Sequence, residues 1–124
     1  MKLFFPWKIT QKWCEPNPVY KSGFHPGLDY ATRVGTPIYA PYTGKVTKAY
    51  ELHPTLGNAL HFLFQKNGKD YAIRCLHLSK VPILGTYNAG DIIGYTGNTG
   101  LSTGPHLHID LWKDGYINPN KIIT

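Results

Sequence analysis

The sequence predicts an all-β fold, and three observations on the 124-residue chain support that class. Several short runs rich in β-branched, aromatic and aliphatic residues are separated by turn residues. No segment shows the apolar repeat of a helix of ordinary length. The 13 glycines and 10 prolines are scattered along the chain, as expected for many turns between short strands rather than for a linker.

Seven strands are expected in chain order. They cover Leu28–Ala31, Thr36–Ala40, Gly44–Tyr50, Asn58–Gln65, Asp70–Leu78, Asp91–Tyr95 and His106–Trp112. Glycine or proline bounds most of these runs, and β-branched residues mark the third. Asn67-Gly68 is a strong turn signal, so the fourth and fifth runs are predicted to form a hairpin. The last run alternates most clearly between apolar and polar residues.

Length and composition describe one globular domain. With 42% hydrophobic and 16% charged residues, we expect a single folded domain over residues 1–124, with residues 1–9 as a short lead-in. The N-terminal apolar run ends at Pro6 and Lys8, so neither a signal peptide nor a membrane span is expected. We expect a monomer.

The net charge of +6 points to an anionic polymer as partner. Nucleic acid and an acidic bacterial wall both fit that description. The 13 basic residues form no dense run, no recognition helix and no zinc-finger spacing, so nucleic acid is the weaker choice. Cys14 and Cys75 are either plain buried thiols or a single disulfide, and two cysteines do not make a disulfide framework.

The strongest chemical pattern is the pair His106 and His108. Residues two apart on a strand face the same side, and Leu107, Ile109 and Leu111 fill the other side. Two imidazoles about 6–7 Å apart on a rigid strand suit one metal site, or a metal with a base beside it. The alternative is the polar, solvent-facing side of an edge strand.

Two further segments offer polar side chains at strand ends. His25 and Asp29 flank Pro26-Gly27, which fits the centre of a tight turn that brings an imidazole and a carboxylate together. His77 ends the second strand of the hairpin. Alone, the first is an ordinary surface turn and the second a core histidine. Together with His106 and His108, they offer enough donors for a catalytic zinc site, which takes three protein ligands.

An ordered set of motifs identifies a family resemblance. The motifs are His25-x-Gly27-x-Asp29, Gly35–Ala40, Gly57-Asn58, His77-Leu78-Ser79, Gly97–Gly100, Ser102–His108 and Asn118-Pro119. The chain thereby resembles the lysostaphin-type, or LytM-like, zinc endopeptidases, which cut peptidoglycan cross-bridges and stem peptides. The resemblance covers roughly residues 10–120, and the ordered set is far more specific than any single motif.

The resemblance implies a compact antiparallel β-sheet domain, of the barrel-sandwich or duplicated-hybrid type, with a groove that holds one zinc ion per chain. It implies that His25, Asp29 and His108 bind the metal, and that His77 and His106 are the catalytic histidines. Our hypothesis makes His106 the general base and gives a protonated His77 the task of stabilising the oxyanion, with an exchange of the two roles left open.

Two positions need comment against the family pattern. Asp110 stands where the family often has Glu, and it shares the face of His106 and His108. It either orients one of these imidazoles or is a solvated strand residue. The family tyrosine that helps to stabilise the oxyanion has no secure match, and Tyr20 is a weak candidate for it.

The implied function is hydrolysis of peptide bonds in bacterial peptidoglycan by water that zinc activates. One alternative is a wall-binding or activator module of the same fold without activity. Another is a cysteine hydrolase that uses Cys75 and His77, which lie two apart on one expected strand. A bare domain suits a phage-encoded lysin, carried by the particle or released on lysis, although part of a larger secreted enzyme would look the same.

Overall fold

The structure is a computed structural model that describes residues 9–11, 28–102, 104–112 and 116–117. Every regular element in these ranges is a β-strand, and they contain no helix that could span a membrane. The strands are β1 Ile9–Gln11, β2 Leu28–Ala31, β3 Pro37–Tyr39, β4 Gly44–His53, β5 Gly57–Lys66, β6 Lys69–Leu78, β7 Gly85–Tyr87, β8 Ile92–Tyr95, β9 His106–Trp112 and β10 Tyr116–Ile117.

Antiparallel pairing joins these strands into two sheets. The large sheet has the order β1-β2-β9-β6-β5-β4-β7, with β10 also paired to β9, and the small sheet consists of β3 and β8. The predicted hairpin of β5 and β6 is confirmed. Its turn residues Asn67 and Gly68 have φ values of 54° and 73°, the left-handed pair that a two-residue hairpin turn requires.

The all-β class is confirmed, and each of the seven expected strands is found with ends shifted by three residues at most. Three strands were not predicted, namely β1, β7 and β10, which have only three, three and two residues. Such runs are too short to show a period. Ile9, the last residue of the expected lead-in, is the first residue of β1, which pairs with β2.

The hydrophobic core lies between the large and the small sheet. Leu107, Ile109 and Leu111 of β9 are fully buried there, as their alternation predicts, and Ile38 and Ile93 face them from the small sheet. The polar residues of β9 therefore lie on the opposite face. Because β9 is flanked by β2 and β6, it is a central strand, and the alternative of an edge strand is wrong.

Candidate metal centre and catalytic histidines

The centre of the site is the pair Asp29 and His108. The register of β2 and β9 sets these two residues directly opposite one another. Nδ1 of His108 lies 2.8 Å from Oδ1 of Asp29, and the two residues are 2% and 8% exposed. Their side chains thus meet on the face away from the core, although the two residues are 79 positions apart in the sequence.

The donors of this pair suit zinc, which binds imidazole nitrogen and carboxylate oxygen. Zinc–ligand bonds of about 2.0–2.2 Å place two ligand atoms of a tetrahedral site roughly 3.3 Å apart. Nδ1 of His108 and Oδ1 of Asp29 would therefore have to move about half an ångström further apart to bind zinc. His25, the third predicted ligand, lies outside the described residues. Within the described ranges no group of three His, Cys, Asp or Glu side chains is arranged for a metal.

The other nitrogen of His108 faces a second carboxylate. Nε2 lies 3.2 Å from Oδ2 of Asp110, which is fully buried and also forms a bidentate ion pair with Arg74. Asp110 is therefore not a solvated strand residue. Burial alone would lower the pKa of His108, but the hydrogen bonds and negative charges of Asp110 and Asp29 outweigh it and raise the pKa to about 9.

A β-bulge brings His77 onto the same face. Between Asn58 and Leu60 of β5, the partner strand β6 runs from Leu78 to Cys75 and so contains one extra residue. His77 takes up the irregularity with a φ of 63°, which non-glycine residues seldom adopt. Its imidazole centre lies 4.9 Å from that of His106 and 6.3 Å from that of His108.

The bulge also overturns the expectation that Cys75 and His77 share a face. Cys75 is 1% exposed and packs within the hydrophobic core, and Leu78 on the far side of His77 is buried there as well. Burial raises the pKa of the Cys75 thiol far above its ordinary value. Cys75 is a free, inert thiol, so a cysteine hydrolase built on this pair is excluded.

Both predicted catalytic histidines are held by backbone carbonyls. Nδ1 of His77 lies 2.8 Å from the carbonyl oxygen of Thr99, and Nδ1 of His106 lies 2.8 Å from that of Gly104. A carbonyl can only accept, so each ring carries its proton on Nδ1 and keeps Nε2 for chemistry. Nε2 of His106 is 3.9 Å from Oδ1 of Asp29.

The charge state of His77 follows from its surroundings. Burial lowers the pKa of His77 to about 4, and the neighbouring rings of His106 and His108 act in the same direction. The hydrogen bond to Thr99 and the charge of Asp29 oppose this without cancelling it. His77 is thus neutral at neutral pH, which does not fit the protonated role considered from the sequence.

The role of Thr99 was not predicted from the sequence. This residue of the glycine-rich loop, residues 94–105, is hydrogen-bonded to the end of the hairpin of β5 and β6. Its hydroxyl accepts from the backbone N–H of Asn58 at 2.9 Å and donates to the carbonyl of Leu78 at 2.7 Å. Gly57, with a φ of 69°, leaves no room for a side chain because its Cβ would clash with the Thr99 hydroxyl. The loop motif is readable in the sequence, but this contact is not.

Two further histidines, His53 and His61, have surroundings of a different kind. His53 ends β4, and its Nδ1 accepts from the backbone N–H groups of Thr55 and Leu56 in the following turn. His61 lies on β5 opposite Arg74. Burial, with the charges of Arg74 and Lys48, lowers its pKa. Tyr20, the candidate for the missing tyrosine, lies outside the described residues.

The chain is similar in sequence and in fold to known peptidases. The sequence model of peptidase family M23 matches residues 23–119, a range that includes every predicted ligand and catalytic histidine. The chain belongs to peptidase family M23. One M23 relative, the peptidoglycan DD-endopeptidase ShyA of Vibrio cholerae, is 40% identical over 89 residues, which are 70% of this chain and 20% of ShyA.

Solved M23 domains share the fold over almost their whole length. The catalytic domain of the antimicrobial peptidase lysostaphin from Staphylococcus simulans superposes with a TM-score of 0.79 at 28% identity, covering 93% of this chain and 90% of that one. A mutant catalytic domain of the prophage-encoded M23 protein EnpA from Enterococcus faecalis gives 0.77 at 30% identity, covering 96% and 94%. The chain spans only about a fifth of the length of curated relatives such as ShyA.

Proposed function

We propose that this M23 chain is a zinc-dependent endopeptidase that hydrolyses peptide bonds in the stem peptides or cross-bridges of bacterial peptidoglycan. The observation that carries the proposal is the buried pair of Asp29 and His108, at 2.8 Å, with two further imidazoles beside it. The names of the relatives, a peptidoglycan DD-endopeptidase and an antimicrobial peptidase, support the substrate class.

In this proposal His25, Asp29 and His108 hold one zinc ion per chain. When bound, zinc supplies Lewis-acid polarisation and lowers the pKa of a bound water to about 7. Asp29 and Nδ1 of His108 are buried and adjacent, which limits the reorganisation needed for binding. Since the ligands must be deprotonated, binding displaces the proton that these two atoms share in the metal-free protein.

We assign the proton transfers to the two histidines that are held by carbonyls, exchanging the roles first considered. His77 is neutral, with Nδ1–H donated to Thr99, so its Nε2 accepts the proton of the attacking water. His106 has the carboxylate of Asp29 beside Nε2, and we give it the complementary role. His106 then stabilises the oxyanion and protonates the leaving amine.

The proposal extends to the domain and its setting. We regard residues 1–124 as one peptidase domain that acts as a monomer at the bacterial wall, without a nucleic-acid partner. The likeness to a catalytic domain of a prophage-encoded protein supports delivery by phage. A wall-binding or activator module without activity is the alternative, but retention of all five polar site residues favours catalysis.

Digestion of purified peptidoglycan tests this proposal. We expect turbidity to fall, the fall to stop with a chelator and to resume when zinc is added back, and thiol reagents to have no effect because Cys75 is buried. Mass analysis of the new amino termini would identify the bond that is cut. A zinc-loaded protein that clears no wall of any cross-link type would refute the substrate class.

A further inference from the structure

A buried ion pair stands behind His108, on the side away from Asp29. Arg74 on β6 lies directly opposite Asp110 on β9. Nε and Nη2 of Arg74 donate to Oδ1 and Oδ2 of Asp110 at 2.9 and 2.8 Å. The Asp110 side chain is fully buried, whereas that of Arg74 retains 18% of its exposure.

The same carboxylate reaches the metal-ligand candidate. Oδ2 of Asp110, which accepts from Nη2 of Arg74, is also 3.2 Å from Nε2 of His108. Because Arg74 engages both oxygens, the carboxylate plane is fixed and cannot turn away from His108. Three strands thus contribute to one chain of contacts, which runs from Arg74 through Asp110 and His108 to Asp29.

Stability alone does not account for such a pair. Removing two charges from water offsets most of their mutual attraction, and well-packed apolar residues often serve stability as well or better. Asp110 lies on the face of β9 opposite the leucine and isoleucine side chains of the core, yet it is as fully buried as they are. What distinguishes this position is its contact with His108.

We propose that Arg74 and Asp110 are positioning residues that hold His108 with its proton on Nε2 and its Nδ1 lone pair directed at the metal. This inference rests on the proposed function, in which His108 is a zinc ligand. Asp110 accepts from Nε2–H, so the tautomer that presents Nδ1 is favoured and the ring orientation is fixed. Arg74 acts one step further away, by fixing the carboxylate.

The test is zinc affinity of the full chain, measured by competition with a chromophoric chelator. We expect Asp110→Asn and Arg74→Met to raise the zinc dissociation constant by about 10–100-fold, with Arg74→Lys in between because it keeps the charge but loses the fork. The matched control is Asp70→Asn on β6, which removes a carboxylate that accepts from Gln65 at an exposed site. It should leave zinc affinity unchanged.

A purely structural role gives a different pattern. It would lower the melting temperature of the metal-free variants while their zinc affinity stayed within about twofold of the wild type, and that result would overturn the inference. If the neutral variants fail to fold, Arg74→Lys decides: unchanged affinity contradicts the proposal and weakened affinity supports it. A wild-type protein that binds no zinc would instead refute the proposed function.

The tautomer itself is open to observation. A long-range proton–nitrogen NMR spectrum of the zinc-loaded wild type reports which ring nitrogen of His108 carries the proton. We expect the proton on Nε2, with Nδ1 bound to the metal. A proton on Nδ1 would contradict the proposed geometry even if the variants lost affinity.

Discussion

At the residue scale, the partner of each imidazole separates the site histidines into two kinds. His77 and His106 each donate Nδ1–H to a backbone carbonyl, which leaves Nε2 of each ring for proton transfer. His108 lies between the carboxylates of Asp29 and Asp110, a setting that suits a metal ligand with an outer partner. The chemical role proposed for each ring follows from this difference.

Replacement of His77 tests its role as general base. We expect His77→Asn to reduce peptide hydrolysis by about 10²–10⁴-fold, the usual contribution of a general base, and to leave one zinc ion per chain. Asparagine is chosen because it tolerates the left-handed backbone at this position, where φ is 63°. The measurements are kcat and zinc content, and near-normal kcat would contradict the assignment.

The depressed pKa of His77 also predicts a pH effect on stability. The folded pKa of about 4 lies below the ordinary value of 6.5, so the unfolded chain binds more protons between these values. The contribution of His77 is therefore complete above pH 6.5 and is lost as the pH falls towards 4. Allowing for solvent screening, we expect a loss of about 1–2 kcal/mol between pH 7.5 and 5.

Urea unfolding of the metal-free protein measures this effect. The wild type should lose more stability than His77→Asn over the same pH interval, because asparagine does not titrate. Equal losses in the two proteins would show that His77 is not held neutral by burial.

The residue types of the site were readable from the sequence, whereas their partners were not. Asp29, His77, His106 and His108 all stand in motifs with recognisable spacing. Arg74 lies in an unremarkable strand, and its importance comes from the register that sets it opposite Asp110. A register between strands far apart in sequence cannot be derived from local patterns.

At the scale of the elements, the bulge in β6 is the feature that could not be predicted from the sequence. Strict alternation predicts that Cys75 and His77 share a face, but the extra residue sends Cys75 into the core and His77 to the site. No glycine marks the bulge, because the left-handed residue is His77 itself. The strain is tolerated where it aims a functional side chain.

The hydroxyl of Thr99 should be needed to hold the loop against this bulge. We expect Thr99→Val, which keeps the shape, to lower the free energy of unfolding by about 2–3 kcal/mol, because an N–H of Asn58 and a carbonyl of Leu78 lose their partner. We also expect kcat to fall, since the Thr99 carbonyl positions His77.

Thr99→Ser is the matched control, because it removes only the methyl group and keeps both hydrogen bonds. It should stay within about 1 kcal/mol of the wild type in urea unfolding. If Thr99→Val were as stable as Thr99→Ser, the hydroxyl would not be what holds the loop.

At the scale of the whole molecule, the net charge of +6 should strengthen binding of the protein to an acidic bacterial wall. We expect binding to an acidic wall to weaken as ionic strength rises from about 0.05 to 0.5 M, because salt screens exposed charges. Hydrolysis of a short neutral peptide should change little over that range. Sedimentation with insoluble wall measures the first quantity and a soluble peptide assay the second.

The all-β class and the central hairpin were predictable because composition, alternation and the Asn67-Gly68 turn agree with one another. The division into two sheets was not, since it depends on which strands pair across long stretches of chain. The small sheet of β3 and β8, for example, joins residues more than fifty positions apart. The family resemblance supplied what local physics left undetermined.

The most direct test of the central claim is the zinc content of the purified protein, measured on the same samples as peptidoglycan clearing. We expect one zinc ion per chain and clearing for the wild type, and neither for His108→Ala, which removes the imidazole beside Asp29. Wild-type protein that clears walls after complete removal of zinc would contradict the account, as would His108→Ala that retains both metal and activity.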